Sequence, residues 1–393
     1  MLSLGRSVHN LIHLLPLYRQ KLKSSKPITR RTKVWSLEAT ETLNGCFHYT
    51  DWDVMLSGAS LDEQVETITA YVKFCVDMLI PTKVVKTYPN NKPWVTKGIA
   101  DVLKSRQEAF RRGSTEDVKR LQKEARKEIL ENKKKFRHKV EDSFASNNSR
   151  QLWSSLQTMT GYNPNKKSLV ADDPRKLAHD LNCFYARFDS TDFSAERAAT
   201  LAEVNRMEQR EEVLTEEEVS RRFRLVSQRS ACGPDEIPGA VLKHCHDSLA
   251  PVFTTLFQRS LESGHIPSIW KSSNVVPVPK KHSPSALNDY RPITLTSIPF
   301  KCMERIVLKR LLVATQSFQD PLQFAYTPNR NTEDAILTVT HAVLKHLEKP
   351  KASARMLFLD FSSAFNTIQP HLLMRKLMDM DVNPVIIRWL CSS

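Results

Sequence analysis

The sequence lacks three features, and each absence narrows what the protein can be. It has no apolar run of membrane-spanning length, so we predict no insertion into a bilayer. Its seven cysteines are scattered without a Cys-x-x-Cys pair, which favours a reducing compartment over a disulfide scaffold or a standard zinc finger. The first 37 residues contain Lys and Arg but no acidic side chain, a pattern also typical of a mitochondrial transit peptide.

What the chain has in excess is positive charge. It carries 58 Lys and Arg against 43 Asp and Glu, which gives a net charge of +15 and an isoelectric point near 9.5. This balance predicts a polyanionic partner, either nucleic acid or a membrane surface. The hydrophobic share of 40% is enough for cores, and 393 residues predict about two or three domains.

The most charged region lies between residues 101 and 142, which contain 14 Lys or Arg and 9 Asp or Glu. Gly113 ends one predicted helix, and Ser114 with Asp117 predicts the start of the next. A helical hairpin with a solvated charged face is the default interpretation. The alternative is phosphate contact by its most basic run. That run contains Lys133, Lys134, Lys135, Arg137 and Lys139.

Other segments are predicted from periodicity and from helix-starting signals. Apolar residues at helical spacing predict a helix from Leu61 to Leu79 and a second core-facing helix through Val252, Phe253, Leu256, Phe257 and Leu261. Thr215 with Glu218 predicts another helix start. Asp173 before Pro174 predicts a helix start, although the sequence Ala-Asp-Asp at 171–173 also permits a catalytic interpretation. Polar residues 189–212 predict a flexible linker. The prolines of 274–280 predict a strand at a sheet edge.

The most informative stretch runs from Ala354 to Leu373. An apolar run, Met356 to Leu359, predicts a central strand, and Asp360 follows at its carboxyl end. In one interpretation Asp360 only caps the turn after the strand. In the other its carboxylate holds a divalent cation for phosphoryl transfer.

The segment Asp-Phe-Ser-Ser-Ala-Phe at 360–365 resembles the first catalytic motif of reverse transcriptases from LINE-type (non-LTR, jockey-like) retrotransposons. The resemblance implies that Asp360 is a catalytic residue and a Mg²⁺ ligand, assisted by the Phe361 carbonyl. It also implies that Phe365 excludes a ribose 2′-hydroxyl. Asn366 stands where many relatives carry Asp.

The resemblance extends upstream from the catalytic motif. Residues 231–238, ACGPDEIP, resemble the segment before the polymerase fingers, and 288–293, NDYRPI, resemble the second fingers motif. By this likeness Lys280 and Arg291 meet the triphosphate of the incoming dNTP; the alternative for Arg291 is a structural ion pair. Arg6 to Asn10 resembles the closing strand of an AP-endonuclease-like domain, except that Val8 replaces the Asp. No endonuclease activity is therefore expected.

These observations predict an α+β protein, with a mostly helical N-terminal linker region followed by the fingers and partial palm of a right-hand polymerase. Five units are predicted along the chain. They are an endonuclease remnant 1–20, a helical linker segment 21–98, a basic hairpin with linker helices 99–188, a flexible linker 189–212, and the N-terminal part of a reverse transcriptase domain 213–393.

The implied function is RNA-directed DNA synthesis, with an RNA template, a DNA primer or target, dNTP and Mg²⁺ as partners. The Ala-Asp-Asp motif that resembling proteins carry downstream of Asp360 does not appear there. We therefore expect a truncated form that is inactive alone, since one carboxylate cannot hold two cations. A non-catalytic nucleic-acid-binding remnant and a helical interaction protein are the rival hypotheses. We expect the protein in the nucleus and cytoplasm.

Overall fold

The computed structural model describes residues 27–57, 60–87, 92–145, 173–188, 192–281, 284–361 and 367–392. The chain divides into two compact units, and both are discontinuous in sequence. The first, here called the hairpin unit, comprises residues 1–32 and 82–166. The second, the core unit, comprises residues 33–81 and 167–393. The sequence predicted a boundary near residue 98 instead.

The hairpin unit contains two strands and two long helices. Its described elements are β1 (Ile28–Lys33), β2 (Thr82–Thr87), α4 (Lys97–Arg111) and α5 (Thr115–Ala145). The strands β1 and β2, which the sequence did not predict, pair in a two-stranded sheet. The sequences ITRRTK and TKVVKT lack the strict alternation of apolar and polar residues that identifies a half-buried strand, so neither strand was predicted.

The predicted turn of the helical hairpin is confirmed. Gly113 adopts a positive φ of 75° at the end of α4, a conformation that favours glycine. The Asp117 amide donates to Oγ of Ser114 at 3.4 Å, and the Ser114 hydroxyl donates to the Asp117 carboxylate at 2.9 Å. The two helices pack against each other, and Ala109 of α4 and Ala125 of α5 are buried.

The core unit is almost entirely helical. Its helices are α1 (Leu37–His48), α2 (Trp52–Leu56), α3 (Leu61–Leu79), α6 (Pro174–Tyr185), α7 (Ser194–Arg206), α8 (Glu216–Arg224), α9 (Gly239–His244), α10 (His246–Ser263), α11 (Ser268–Lys271), α12 (Ile298–Ala314), α13 (Thr332–Leu347), α14 (Pro370–Asp379) and α15 (Pro384–Ser392). Short 3₁₀ turns cover Ala186–Phe188, Leu287–Asp289 and Gln316–Phe318. Two strands, β3 (Ser273–Pro279) and β4 (Tyr290–Thr296), form a separate ribbon.

Helix α10 lies at the centre of the core, as its apolar stripe predicts. Phe253 and Phe257 are buried and contact each other with ring centroids 5.8 Å apart. Phe257 also contacts Trp270 at 5.5 Å, and Trp270 stacks on Phe300 of α12 at 5.7 Å. Large aromatic side chains from three helices, α10, α11 and α12, therefore form one continuous core.

The N-terminal segment 33–81 completes this core from a distant part of the sequence. Helix α3 has the predicted bounds and packs on α10 and α11 through residues such as Val65 and Ile68. At its first turn, Asp62 accepts hydrogen bonds from the amide and the hydroxyl of Ser268, each at 2.8 Å, and contacts His265. Residues 33–81, which lie in the predicted helical linker segment 21–98, are therefore packed into the core unit.

Part of the predicted flexible linker 189–212 is a packed helix. Helix α7 buries Thr200 and Val204 completely and packs against α14 and α15. Its small side chains bury little apolar surface, so its composition resembles that of a linker while its backbone is packed. Beyond it, Glu212 pairs with Arg310 of α12 and accepts a 3.0 Å hydrogen bond from the Asn383 amide.

The start of α6 resolves the two interpretations of Asp173. Its Oδ1 accepts hydrogen bonds from the amides of Arg175 and Lys176 at 2.9 and 3.2 Å, with Pro174 in the first turn. Asp173 is therefore an N-cap. Ala171 and Asp172 lie outside the described residues, as do residues 1–20 with the endonuclease-like motif.

In the described ranges, none of the helices combines the length and the apolar character that crossing a bilayer requires.

Candidate functional site

The β3–β4 ribbon places two predicted site residues on the same face. The strands are antiparallel, with Val278 opposite Arg291 and Pro279 opposite Tyr290. The Lys280 amide donates to the Asp289 carbonyl at 2.7 Å, which continues the ladder by one residue. Because directly opposed residues share a face and side chains alternate along a strand, Lys280 and Arg291 are diagonal neighbours on one face.

Both cations are exposed on this ribbon. Within the described ranges, Lys281 pairs with Asp289 at 2.8 Å, whereas no carboxylate lies within ion-pair distance of Lys280 or Arg291. The two positive groups are therefore available to an external anion. A guanidinium offers fork geometry to phosphate oxygens, and an ammonium beside it adds a point charge.

Asp289 organises the turn between the two strands, a role that the sequence analysis missed. Its carboxylate receives the Lys281 ammonium and the amides of Ser285 and Ala286, at 2.8 and 3.0 Å for the amides. The bond to Lys281, followed by those two amides, lowers the pKa of Asp289 well below its ordinary range. The signal was an Asp three and four residues after potential amide donors, directly before a strand.

The base of the ribbon rests on the turn formed by residues 231–236. Gly233 approaches the chain after β4 so closely that a Cβ atom there would lie 2.4 Å from the Ser297 nitrogen. Two residues later, Asp235 is 1% exposed and accepts a hydrogen bond from the Ser297 hydroxyl at 2.6 Å. The ACGPDEIP segment therefore has a packing role at the junction of β4 and α12.

The predicted central strand before Asp360 is wrong. Residues 352–361 have no regular secondary structure, and Leu357, Phe358 and Leu359 are 83, 82 and 74% exposed. A buried strand needs hydrogen-bonding neighbours and covering side chains, and the described residues supply neither. Asp360 is exposed within this extended stretch, so the mouth of a sheet expected around it is not formed there.

The carboxylates do not fit a metal site in the described part of the chain. No group of three or more His, Cys, Asp or Glu side chains in the described ranges is close enough to hold a metal ion. Phe361 is 77% exposed beside Asp360, and Phe365 lies outside the described residues. The implied Mg²⁺ role of Asp360 and of the Phe361 carbonyl stays a prediction.

The predicted nucleic-acid-binding cations of α5 are all exposed. They do not share one side of the helix. At about 100° per residue, Lys133, Lys134 and Arg137 fall on one flank of α5, whereas Lys135 and Lys139 fall on the other. The Lys133 ammonium lies 5.3 Å from the ring centroid of Trp94, a cation–π contact within the hairpin unit.

The ribbon, the helices after it and the Asp360 segment together match a known family. Residues 278–392 match the family model described as reverse transcriptase (RNA-dependent DNA polymerase). The match begins inside β3 and ends in α15, so it includes Lys280, Arg291 and Asp360. Reverse transcriptases as a class copy an RNA template into DNA with divalent metal ions.

Sequence similarity to known proteins indicates which type of reverse transcriptase this segment resembles. The chain is 27% identical over 158 residues to the RNA-directed DNA polymerase from mobile element jockey of Drosophila melanogaster. It is 30% identical over 159 residues to the Pol polyprotein of retrotransposable element R1 of Bradysia coprophila, and 22% identical over 226 residues to a transposon TX1 protein of Xenopus laevis. Over this part the chain is therefore similar to reverse transcriptases of the LINE, or non-LTR retrotransposon, type.

Each match covers only part of this chain and a smaller part of the relative. The jockey match covers 39% of this chain and 17% of the jockey protein, and the R1 match covers 39% and 15%. The TX1 match covers 56% of this chain and 17% of that protein. The chain thus spans only about one sixth of the length of these relatives.

Proposed function

We propose that this chain acts in RNA-directed DNA synthesis and that its β3–β4 ribbon, as part of the fingers, binds the triphosphate of the incoming dNTP. The observation that carries the proposal is the register of the ribbon, which puts Lys280 and Arg291 on one face. Their exposure and the absence of a carboxylate at ion-pair distance in the described ranges support it. A triphosphate supplies the negative charge that this face lacks.

The pairing of Lys281 with Asp289 supports the same assignment. The Asp289 carboxylate is paired with Lys281 and with the amide of Ser285 in the turn. It therefore does not neutralise Lys280, which stays exposed. Asp289 is therefore a positioning residue for the ribbon. Its loss is expected to loosen the turn and to weaken anion binding indirectly.

The test is equilibrium binding of a fluorescent dNTP to the 393-residue protein and to two variants. Lys280→Ala and Arg291→Ala are each expected to raise the dissociation constant about tenfold, since a charge-assisted hydrogen bond contributes about 1.5 kcal/mol or more. Lys271→Ala removes an exposed cation directly before β3 and serves as the control. Equal affinity in all four proteins would contradict the proposal.

The catalytic part of the proposal concerns Asp360. In the described part of the chain no second carboxylate joins it, so we derive no step through a metal ion. We expect no primer extension by this 393-residue polypeptide on an RNA template with Mg²⁺ and dNTP. Template-dependent incorporation that Asp360→Asn abolishes would overturn that expectation and assign Asp360 its family role.

A second candidate function is nucleic-acid binding without catalysis, which the basic hairpin α4–α5 favours. Binding through phosphate contacts alone weakens steeply with salt and is indifferent to dNTP and Mg²⁺. A complex with template and primer that dNTP stabilises supports the polymerase proposal. Salt-sensitive binding with no response to dNTP supports the second candidate.

A further inference from the structure

Exposed cations are concentrated on one side of helix α5. Taking about 100° per residue, seven Lys and Arg side chains and one Leu fall within an arc of about 120°. These cations, here called the α5 stripe, are Lys119, Lys123, Arg126, Lys127, Lys133, Lys134 and Arg137. Every cation in the arc is exposed, and the two acids that also fall in it, Glu116 and Glu141, lie beyond the two ends of the stripe.

Three acids from the middle of the same helix lie on the opposite flank. Glu124, Glu128 and Glu131 all fall outside the arc, on the side that also carries Lys135. The buried Ala125 marks the face of α5 that packs against α4, and this face lies between the two flanks. Helix α5 therefore has one strongly basic flank and one flank of mixed charge, where Arg120, Lys135 and Lys139 accompany the acids.

We propose that the α5 stripe binds the phosphate backbone of duplex nucleic acid without reading its sequence. This inference takes its class of partner from the proposed function and assigns a surface to it. From Lys119 to Arg137 the stripe is about 27 Å long, at about 1.5 Å per residue. One cation about every 4 Å faces a duplex that carries a negative charge about every 1.7 Å.

Local contacts modify the C-terminal end of the stripe without removing its charge. Arg137 pairs with Glu141 at 3.3 Å, and both side chains are mostly exposed. Exposed pairs of this kind contribute little and exchange readily for phosphate. Lys133 lies against Trp94, which holds its ammonium near the helix. The central cations Lys123 and Lys127 have no ion-pair partner among the described residues.

A lipid surface fits this helix less well than a duplex. Helices that lie on a membrane insert a broad apolar face between the headgroups. The apolar face of α5 is occupied by α4, and the one apolar residue in the stripe is Leu130, which is 60% exposed. The stripe therefore presents cations that suit phosphate groups, and it lacks the broad apolar face that a membrane surface requires.

The experiment compares two triple variants that lose the same charge. The stripe variant is Lys123→Gln, Lys127→Gln and Lys134→Gln. The matched control is Lys97→Gln, Lys104→Gln and Arg111→Gln, all exposed on α4 and outside the stripe. Gln is as good a helix former as Lys, and circular dichroism verifies that both variants keep their helix content.

Binding is measured on a 20-base-pair DNA duplex of mixed sequence, without dNTP or Mg²⁺, at several salt concentrations. The stripe variant is expected to bind at least about tenfold more weakly at low salt, and its log–log salt slope to fall by about 2.7, or about 0.9 per lost contact. The control is expected to stay within about twofold of the wild type.

Three outcomes would overturn the inference. They are equal weakening in both variants, which assigns binding to net charge alone; no duplex binding by the wild type; and stripe-dependent binding of anionic phosphatidylserine vesicles without duplex binding. Fluorescent dNTP binding at the β3–β4 ribbon is measured on the same proteins. It is expected to be unchanged in both variants, so a failure of the stripe is distinguishable from a failure of the proposed function.

Discussion

The Ser297 hydroxyl donates a 2.6 Å hydrogen bond to Oδ2 of Asp235, and neither side chain is more than 1% exposed. Oγ of Ser297 also accepts from the Phe300 amide at 3.3 Å and so caps α12. One hydroxyl therefore joins the ACGPDEIP turn to the start of α12, directly after the ribbon strand β4. The geometry of the ribbon depends on this junction.

Replacement of Asp235 by Asn is expected to remove a pH dependence of stability. Burial raises the pKa of Asp235 above its ordinary value, although the Ser297 bond and the Lys301 charge act in the opposite direction. The folded state therefore holds this proton more tightly than the unfolded state. Its contribution to stability is fully present below the ordinary pKa and is lost as the pH rises through the raised value.

Urea denaturation between about pH 3 and pH 7 measures this effect as the difference between wild type and Asp235→Asn. The variant is expected to gain stability relative to the wild type as the pH rises across that interval. Asp379→Asn, at an exposed position of α14, is the control and should follow the wild type. Parallel curves for wild type and Asp235→Asn would show that Asp235 does not titrate differently on folding.

Gly233→Ala is expected to destabilise the protein by about 1 to 3 kcal/mol, the usual cost of forcing an added methyl into packed structure. The added Cβ would meet backbone atoms of Thr296 and Ser297 at 2.4 Å, and backbone cannot move aside cheaply. Gly45→Ala in α1 is the matched control, since no atom outside its own helix lies within 4 Å of the new Cβ.

Gly45→Ala should instead stabilise by about 0.5 to 1 kcal/mol, because alanine is the better helix former. Thermal denaturation of both variants gives the comparison. If Gly233→Ala were as stable as Gly45→Ala, the turn would not rest on the β4–α12 junction as described.

Asp62→Asn is expected to cost about 1 to 2 kcal/mol at neutral pH and much less in acid. The Ser268 amide, with further contributions from His265 and the Ser268 hydroxyl, lowers the pKa of Asp62 to about 2. The folded state thus favours the ionised carboxylate. Its contribution is present above the ordinary value of 3.8 and is lost as the pH falls toward about 2.

Chemical denaturation at neutral pH and near pH 2.5 tests the Asp62 prediction. Glu66→Gln, exposed on the same helix, is the control and should be nearly neutral at both values. A cost of Asp62→Asn that did not shrink in acid would argue that the amide variant harms packing rather than the charged contact to α11.

Cys46 and Cys75 are expected to form a disulfide under oxidation. Their sulfur atoms lie 3.6 Å apart between α1 and α3, and the Tyr71 hydroxyl lies 3.6 Å from the Cys46 sulfur. With oxidised glutathione, the two thiols would give one protein disulfide and two molecules of reduced glutathione. Burial raises the pKa of Cys75 to about 11, so the reaction should be slow at neutral pH and faster in alkali.

Peptide mass spectrometry without reductant detects this bond. The Cys46→Ser variant should lack it, whereas Cys183→Ser, at an exposed site on α6, should form it at the wild-type rate. Glutathione attached to Cys46 with no internal bond would indicate that the helices do not approach closely enough in solution.

Local signals in the sequence predicted the helices well. The Ser114–Asp117 and Thr215–Glu218 spacings each marked a helix start, because a cap acts within one turn of chain. The apolar spacing of α3 and α10 likewise predicted which side chains are buried. The prolines of β3 correctly indicated a strand at a sheet edge.

Properties that depend on distant residues were not predictable in this way. Met356 to Leu359 have the composition of a buried strand, but burial requires partner strands and a covering layer, which no local pattern encodes. The shared face of Lys280 and Arg291 depends on the pairing register, which links positions across the Asp289 turn. The positive charge of both residues predicted an anionic ligand. It did not predict how the two side chains are placed relative to each other.

Helix α3 lies about 200 residues before the matched reverse transcriptase segment, yet it packs on α10 and α11 in the same core. A deletion of residues 33–81 would touch none of the matched positions. It would nevertheless remove Val65 and Ile68 from the core that they share with the matched segment. The two stretches must therefore be inherited together for that core to form.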